Sequence, residues 1–144
     1  MEKSKTVGQT KDVGFQIGVR RTFSVSLETA WNFLFSEKGL ALWLGEIELE
    51  DVDLEKPYKI KDGIEGKINT FKPYSHIRLT WRPTYWTNLS TVQIRAIDTK
   101  GKTTISFHQD KLIDSDQRNE MKKHWGNVLA KIEPELTNEK TTTR

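Results

Sequence analysis

Residues 13–45 read VGFQIGVRRTFSVSLETAWNFLFSEKGLALWLG, and a change of period within them decides the fold class. Val13, Phe15, Ile17, Val19, Arg21, Phe23 and Val25 alternate with Gln16, Gly18, Arg20, Thr22 and Ser24, the pattern of a strand with one buried face. After Ser26 the spacing turns helical, because Leu27, Ala30, Trp31 and Leu34 fall on one stripe. The Ser26 hydroxyl suits an N-cap, and Glu28 suits the positive end of the helix. Ser36 offers a second cap. Gly39 weakens the helix that follows, and Gly45 ends it behind Leu40, Trp43 and Leu44. The stretch predicts one strand and then two short helices.

Downstream, Ile47 and Leu49 alternate with acids, Tyr58 and Ile60 alternate with lysines, and Asp62–Gly63 carries a hairpin signal. Further strands are expected over 64–71, 77–81, 89–97 and 103–109, punctuated by Pro73, Pro83 and Lys100–Gly101. Their connections are mostly too short for crossover helices. The period then changes again: Met121, Trp125, Val128, Leu129, Ile132 and Leu136 share one side of a helix expected from Gln117 to about Glu133, capped by Asp114 or Ser115. Pro134 is expected to kink or close it. The order predicts an α+β domain over 13–137, a curved antiparallel sheet around a long C-terminal helix, with flexible segments at 1–12 and 138–144. Gly126, beside Trp125, leaves room for a cavity between helix and sheet.

Composition narrows the function classes. The 144 residues are 35% hydrophobic and 30% charged, with 4 prolines and 9 glycines, as a globular core requires. The absence of cysteine removes disulfides, thiolate nucleophiles and cysteine-ligated metals. A net charge of +3, with acids interleaved among the lysines, argues against a nucleic-acid partner. No apolar run is long enough to span a membrane, and the first residues lack a secretory signal's apolar segment, so a cytoplasmic location is expected.

Five tryptophans provide rigid apolar surface with indole donors, suited to line a pocket or fill a core. Core packing is the first reading for Trp31 and Trp43; both readings are open for Trp81 and Trp125, whose elements face the expected cavity. Trp86 and Tyr85 lie in the proline-bounded segment PTYWTN, placed to cap a pocket mouth, dock a partner or fold back. Met121 belongs to the helical stripe and can adapt to a ligand. His76, His108 and His124 lack metal-ligand spacing, so no metal or other cofactor is expected. His124, beside Trp125, is the best placed of the three. Glu120 and His124, four apart, suit a surface hydrogen bond better than a catalytic dyad, and no catalytic set emerges. The row Glu46, Glu48 and Glu50 reads as a solvated strand face, since the calcium-loop pattern is missing.

Taken in order, SVSLETAWNFLFSEKGLALWLG, RLTWRP, STVQIR, GKTTISFHQDKL and MKKHWGNVL resemble the START-like, or Bet v 1-like (SRPBCC), helix-grip superfamily, and in particular bacterial homologues of activators of the heat-shock protein 90 ATPase. The resemblance covers most of Ile17 to Ile132 and implies a helix-grip fold. It also implies one of three roles: an apolar ligand held in a cavity, assistance to a chaperone, or, in some branches, cyclisation chemistry. The leading expectation is non-enzymatic binding of a small, mostly apolar molecule by Trp31, Trp43, Trp81, Trp86, Phe107, Met121, His124 and Trp125. The rival is a chaperone-associated or ATPase-activator-like protein, which a filled core and an exposed aromatic patch would favour. A small cyclase or hydrolase-like enzyme ranks third. The chain is expected to be a monomer or a weak homodimer.

Overall fold

The computed structural model describes residues 9–10, 14–45, 57–60 and 63–142. The alternating stretch near the N-terminus is a strand, Gly14–Phe23 (β2), flanked by a two-residue strand, Gln9–Thr10 (β1). Ile17 and Phe23 are buried while Arg20 and Thr22 are exposed, as the alternation requires. A register shift between Phe15 and Ile17 breaks the ladder locally.

The two short helices follow as Leu27–Leu34 (α1) and Glu37–Trp43 (α2). Ser26 Oγ accepts the Thr29 amide at 3.1 Å, and Ser36 Oγ accepts the Gly39 amide at 3.1 Å. Gly39 does more than weaken α2. A β-carbon there would stand 1.8 Å from the Phe33 carbonyl oxygen, so only glycine lets the second helix start against the end of the first.

The remaining strands are Pro57–Lys59 (β3), Glu65–Lys72 (β4), His76–Trp81 (β5), Ser90–Thr99 (β6) and Lys102–Leu112 (β7). They complete a seven-stranded sheet in the order β1-β2-β7-β6-β5-β4-β3, every pairing antiparallel. The last two strands run further than the turn signals suggest, β6 to Thr99 and β7 to Leu112. The long C-terminal helix, Ser115–Thr142 (α3), packs on β2 and β7 and touches α1 and α2. This is the α+β helix-grip arrangement. Its core lies between the helices and the inner sheet face, where Ile77, Leu79, Val92, Ile94, Ile105 and Ile132 are almost fully buried. Two exposed ion pairs, Arg21–Glu133 at 2.7 Å and Lys38–Glu135 at 2.9 Å, tie α3 to β2 and α2 and are each worth about 0–1 kcal/mol.

The chain ends carry some regular structure. Gln9 and Thr10, inside the segment read as flexible, pair with Phe15 and Gly14. Asp114 caps α3 as expected, accepting the Gln117 amide at 2.8 Å. Pro134, however, does not close the helix, which continues through most of the tail read as flexible, to Thr142. Proline removes one intrahelical bond, the one to the carbonyl of Ala130. Both residues are exposed, so water can meet that carbonyl, while buried Ile132 and Leu136 hold the helix to the core on either side of the proline. The alternation at Ile47 and Leu49, and the row Glu46, Glu48 and Glu50, lie outside the described residues.

Candidate functional site

The inner end of β5 brings Trp81 under α3, and a buried chain of hydrogen bonds starts there. Ser90 Oγ donates to the Trp81 carbonyl at 2.6 Å, Gln109 Nε2 donates to Ser90 Oγ at 2.9 Å, and Trp125 Nε1 donates to Gln109 Oε1 at 2.7 Å. Ser90 and Gln109 are fully buried, so these bonds form where water does not compete. The chain fixes the Trp125 ring, which stacks on Phe107 with centroids 4.8 Å apart and planes at 16°. Trp81 tilts against Trp125 at 5.9 Å, and Trp86 meets Trp81 edge-on at 5.5 Å.

The eight residues expected to line a pocket therefore separate into two groups. Phe107, Trp81, Trp86, Met121, His124 and Trp125 gather beneath the first half of α3. Trp31 and Trp43 stand apart, in a cluster around Phe35 and Phe71, where Trp43 Nε1 donates to the Leu34 carbonyl at 2.7 Å. Every tryptophan is at most 3% exposed. Burying such a ring stabilises the fold by on the order of 4–6 kcal/mol, at ~25 cal/mol per Å² over ~150–250 Å². Rings that fill the interior gain this; rings around an empty cavity would not. Of the three placements open to Trp86, the structure shows the third. Its amide donates to the Pro83 carbonyl at 3.0 Å, and Arg82 Nη1 donates to its carbonyl at 3.1 Å, folding the loop back. Its neighbour Tyr85 points outward, 69% exposed.

Among the described residues a recess of about 340 Å³ opens on the flank of α3, walled by Ile64, Trp81, Pro83, Tyr85, Met121 and His124, with Lys123 and Asn127 also lining it. Tyr85 donates its hydroxyl to the Glu120 carboxylate, and this bond, ahead of burial, raises the phenol's pKa. Glu120 is thereby engaged by Tyr85. Burial of His124 lowers its pKa below the usual imidazole value; Glu120 opposes this and Lys131 adds to it. His124 Nε2 and Trp81 Nε1 are buried without a hydrogen-bond partner, each at a cost of about 1–3 kcal/mol. Gly126 opens onto empty space, but it is only half-buried and does not line this recess.

Gln109 is the site residue that sequence reasoning missed. Period two places it on the inner face with Phe107 and Ile105, and a glutamine at an inward position is itself a sign of a buried hydrogen-bond network. Arg95 and Asp110 stand on the other face of the sheet, as do His76 and His108, which meet Ser75 and Gln16. Among the described residues no three His, Asp or Glu side chains converge in a way that could hold a metal ion. A wider-mouthed hollow of about 630 Å³ lies over β3, β4 and the end of β5, lined by Tyr58, Lys67, Thr80, Arg82 and Leu89, and includes none of the expected residues.

Residues 24–137 match the family model described as activator of Hsp90 ATPase homolog 1-like protein. The chain belongs to this family. No curated protein matches the chain by sequence. Among solved structures it is similar to protein MLL2253 from Mesorhizobium loti, at 18% identity and a TM-score of 0.71, over 86% of this chain and 97% of that one. It is similar to the Aha1 dimer from Colwellia psychrerythraea, at 13% identity and a TM-score of 0.66, over 84% and 95%. It is also similar to PFC0360w, an HSP90 activator from Plasmodium falciparum, at 18% identity and a TM-score of 0.57, over 69% and 74%. The chain spans 44% of the length of a related protein of the dynemicin biosynthetic locus, at 11% identity and a TM-score of 0.69 over 80% of this chain. At such identities these likenesses show the helix-grip fold alone. Family and fold together support a general ligand- or partner-binding role. No described helix is long and apolar enough to cross a membrane.

Proposed function

We propose that the chain is a non-enzymatic docking module that engages a chaperone ATPase of the heat-shock protein 90 class through its outer surface. The observation that carries this reading is the close filling of the interior by the described residues. Trp125, Phe107, Trp81 and Trp86 occupy the space between α3 and the sheet, and each is at most 3% exposed, so the face left for recognition is external. Exposed Tyr85, braced on Glu120, adds an aromatic contact of the kind enriched at interfaces. The family model and the name of the Plasmodium relative support the choice of partner. The test is the steady-state ATPase rate of a bacterial heat-shock protein 90 as this chain is titrated in. Saturable stimulation is expected; an unchanged rate together with no binding by calorimetry would overturn the reading.

A second reading, capture of a small and mostly apolar molecule, is favoured by one observation: the recess beside α3, whose apolar walls Ile64, Pro83 and Met121 stand next to Trp81 and His124. Native mass spectrometry of protein purified from cells tests it. A stoichiometric small-molecule adduct is expected, and ligand-free protein that takes up no apolar compound would count against it.

A further inference from the structure

The face of the sheet turned away from α3 gathers positive charge. Strand register sets one row across five strands, Lys72–His76–Arg95–Ser106–Arg20, and a second row beside it, Thr70–Arg78–Gln93–His108–Gly18. Residues paired across strands share a face, so four permanent cations and two imidazoles stand on one surface, and neither row holds a carboxylate. Arg20, Lys72 and Arg78 are exposed and Arg95 is half-buried. Among the described residues none of the four forms a salt bridge, whereas Arg21 and Arg82 are answered by Glu133 and Glu65. His76 registers the field: burial first, then Arg95, Lys72 and Arg78, hold its pKa below the ordinary imidazole value, and no acid opposes them. Asp110 enters one row further along, opposite Thr91. Like charges on neighbouring strands cost stability, and a bound anion would relieve that cost.

Size and composition select the anion. Neighbouring strands lie ~4.8 Å apart, so the first row is about 19 Å long. Over that length a nucleic-acid duplex presents about eleven charges, at one per ~1.7 Å, far more than four cations answer. An extended polypeptide of the same length has about six residues, about three of them on the facing side, and the counts agree. Neither row offers an aromatic ring on which a base could stack. Gln93, Ser106 and Thr70 instead supply the amide and hydroxyl groups that a peptide backbone can meet. Three of the four cations are arginines, whose planar fork takes a carboxylate through two hydrogen bonds.

We infer that this outer face docks an acidic, extended segment of a partner protein, its carboxylates paired with Arg20, Arg78, Arg95 and Lys72. The surface lies across the sheet from the α3 recess, so the inference goes beyond both readings above and stands or falls independently of them.

The experiment titrates the full chain into three fluorescein-labelled probes: a dodecapeptide of alternating Glu and Ser, the same peptide with Gln for Glu, and a dodecamer of deoxythymidylate. Anisotropy gives the affinities at about 0.1 M salt, where the Debye length is ~10 Å, and amide shifts of the ¹⁵N-labelled chain locate the contact. The glutamate peptide is expected to bind about tenfold tighter than the glutamine one, with shifts gathered on β2, β5, β6 and β7. Arg20→Glu combined with Arg78→Glu, both at exposed positions, is expected to weaken it about tenfold. Lys122→Glu combined with Lys131→Glu, on the exposed side of α3, changes the net charge equally and is expected to weaken it less than about twofold. No saturable binding of the glutamate peptide, equal binding of the glutamine peptide, equal losses from the two pairs of reversals, or tighter binding of the oligonucleotide would each overturn the inference.

Discussion

Replacing Gln109 by leucine tests whether the buried chain from Ser90 to Trp125 organises the space under α3. The substitution keeps the volume and removes two hydrogen bonds, of 2.9 Å to Ser90 and 2.7 Å from Trp125. Ser90 keeps its bond to the Trp81 carbonyl, so the group left orphaned is the indole N–H of Trp125, 1% exposed. A buried unsatisfied donor costs about 1–3 kcal/mol, and the added apolar burial offsets part of that, for a net loss of about 2 kcal/mol. With a urea m-value of about 2 kcal/mol/M, the midpoint falls by about 1 M. Urea titration followed by tryptophan fluorescence measures it. In a double-mutant cycle with Trp125→Phe, the combined loss is expected to fall short of the sum by about 1 kcal/mol, since the donor is gone too. A Gln109→Leu protein as stable as the parent, or strict additivity in the cycle, would refute the reasoning.

Three further outcomes are expected. Gly126→Ala meets nothing within 4 Å and replaces a poor helix former in α3, so it stabilises the protein by about 0.5–1 kcal/mol, seen as a rise of ~2–3 °C in Tm. Gly66→Ala would place a β-carbon 1.9 Å from the Thr80 carbonyl oxygen, forcing β4 off β5 at a cost of about 3 kcal/mol; a melting temperature near the parent's would contradict this. Because burial lowers the His124 pKa, the unfolded chain binds that proton more readily than the folded one. Stability is therefore complete above the ordinary value of 6.5 and declines as pH falls through it toward the lowered value, and a His124→Phe protein with the same slope in urea midpoint between about pH 5 and 7.5 would show that another group is responsible.

Local order was legible from sequence wherever period and caps agree. The alternation through Phe23, the Ser26 and Ser36 caps and the stripe from Met121 to Leu136 all appear as read, because each is decided within about a dozen residues. What depends on distant partners was not legible. Tyr85 and Trp86 are adjacent aromatics in one loop, and only the Pro83 turn and the Arg82 guanidinium, acting with Trp81, decide which goes in and which goes out. The five tryptophans, all named as candidate pocket residues, form two clusters, with Trp31 and Trp43 in the one read first as core packing. Gln109 finds its partners 19 residues before it and 16 after, on β6 and α3. Pro134 looked like a terminator because local rules count the lost bond and not the buried residues on either side.

The position of β7 between β2 and β6 has a consequence for how the chain comes into being. Thr103 Oγ1 donates to the Val25 carbonyl across 78 residues, and the whole β2–β7 ladder joins segments equally remote. At about 5–20 residues per second, a ribosome takes roughly 4–16 s to make that intervening stretch. Throughout that time β2 has neither its long neighbour nor the helix that covers it, and its apolar face is bare. Closure waits for β7 and α3, so the bare face of β2 stays adhesive until those elements have emerged, and loop closure over that distance sets a slow step.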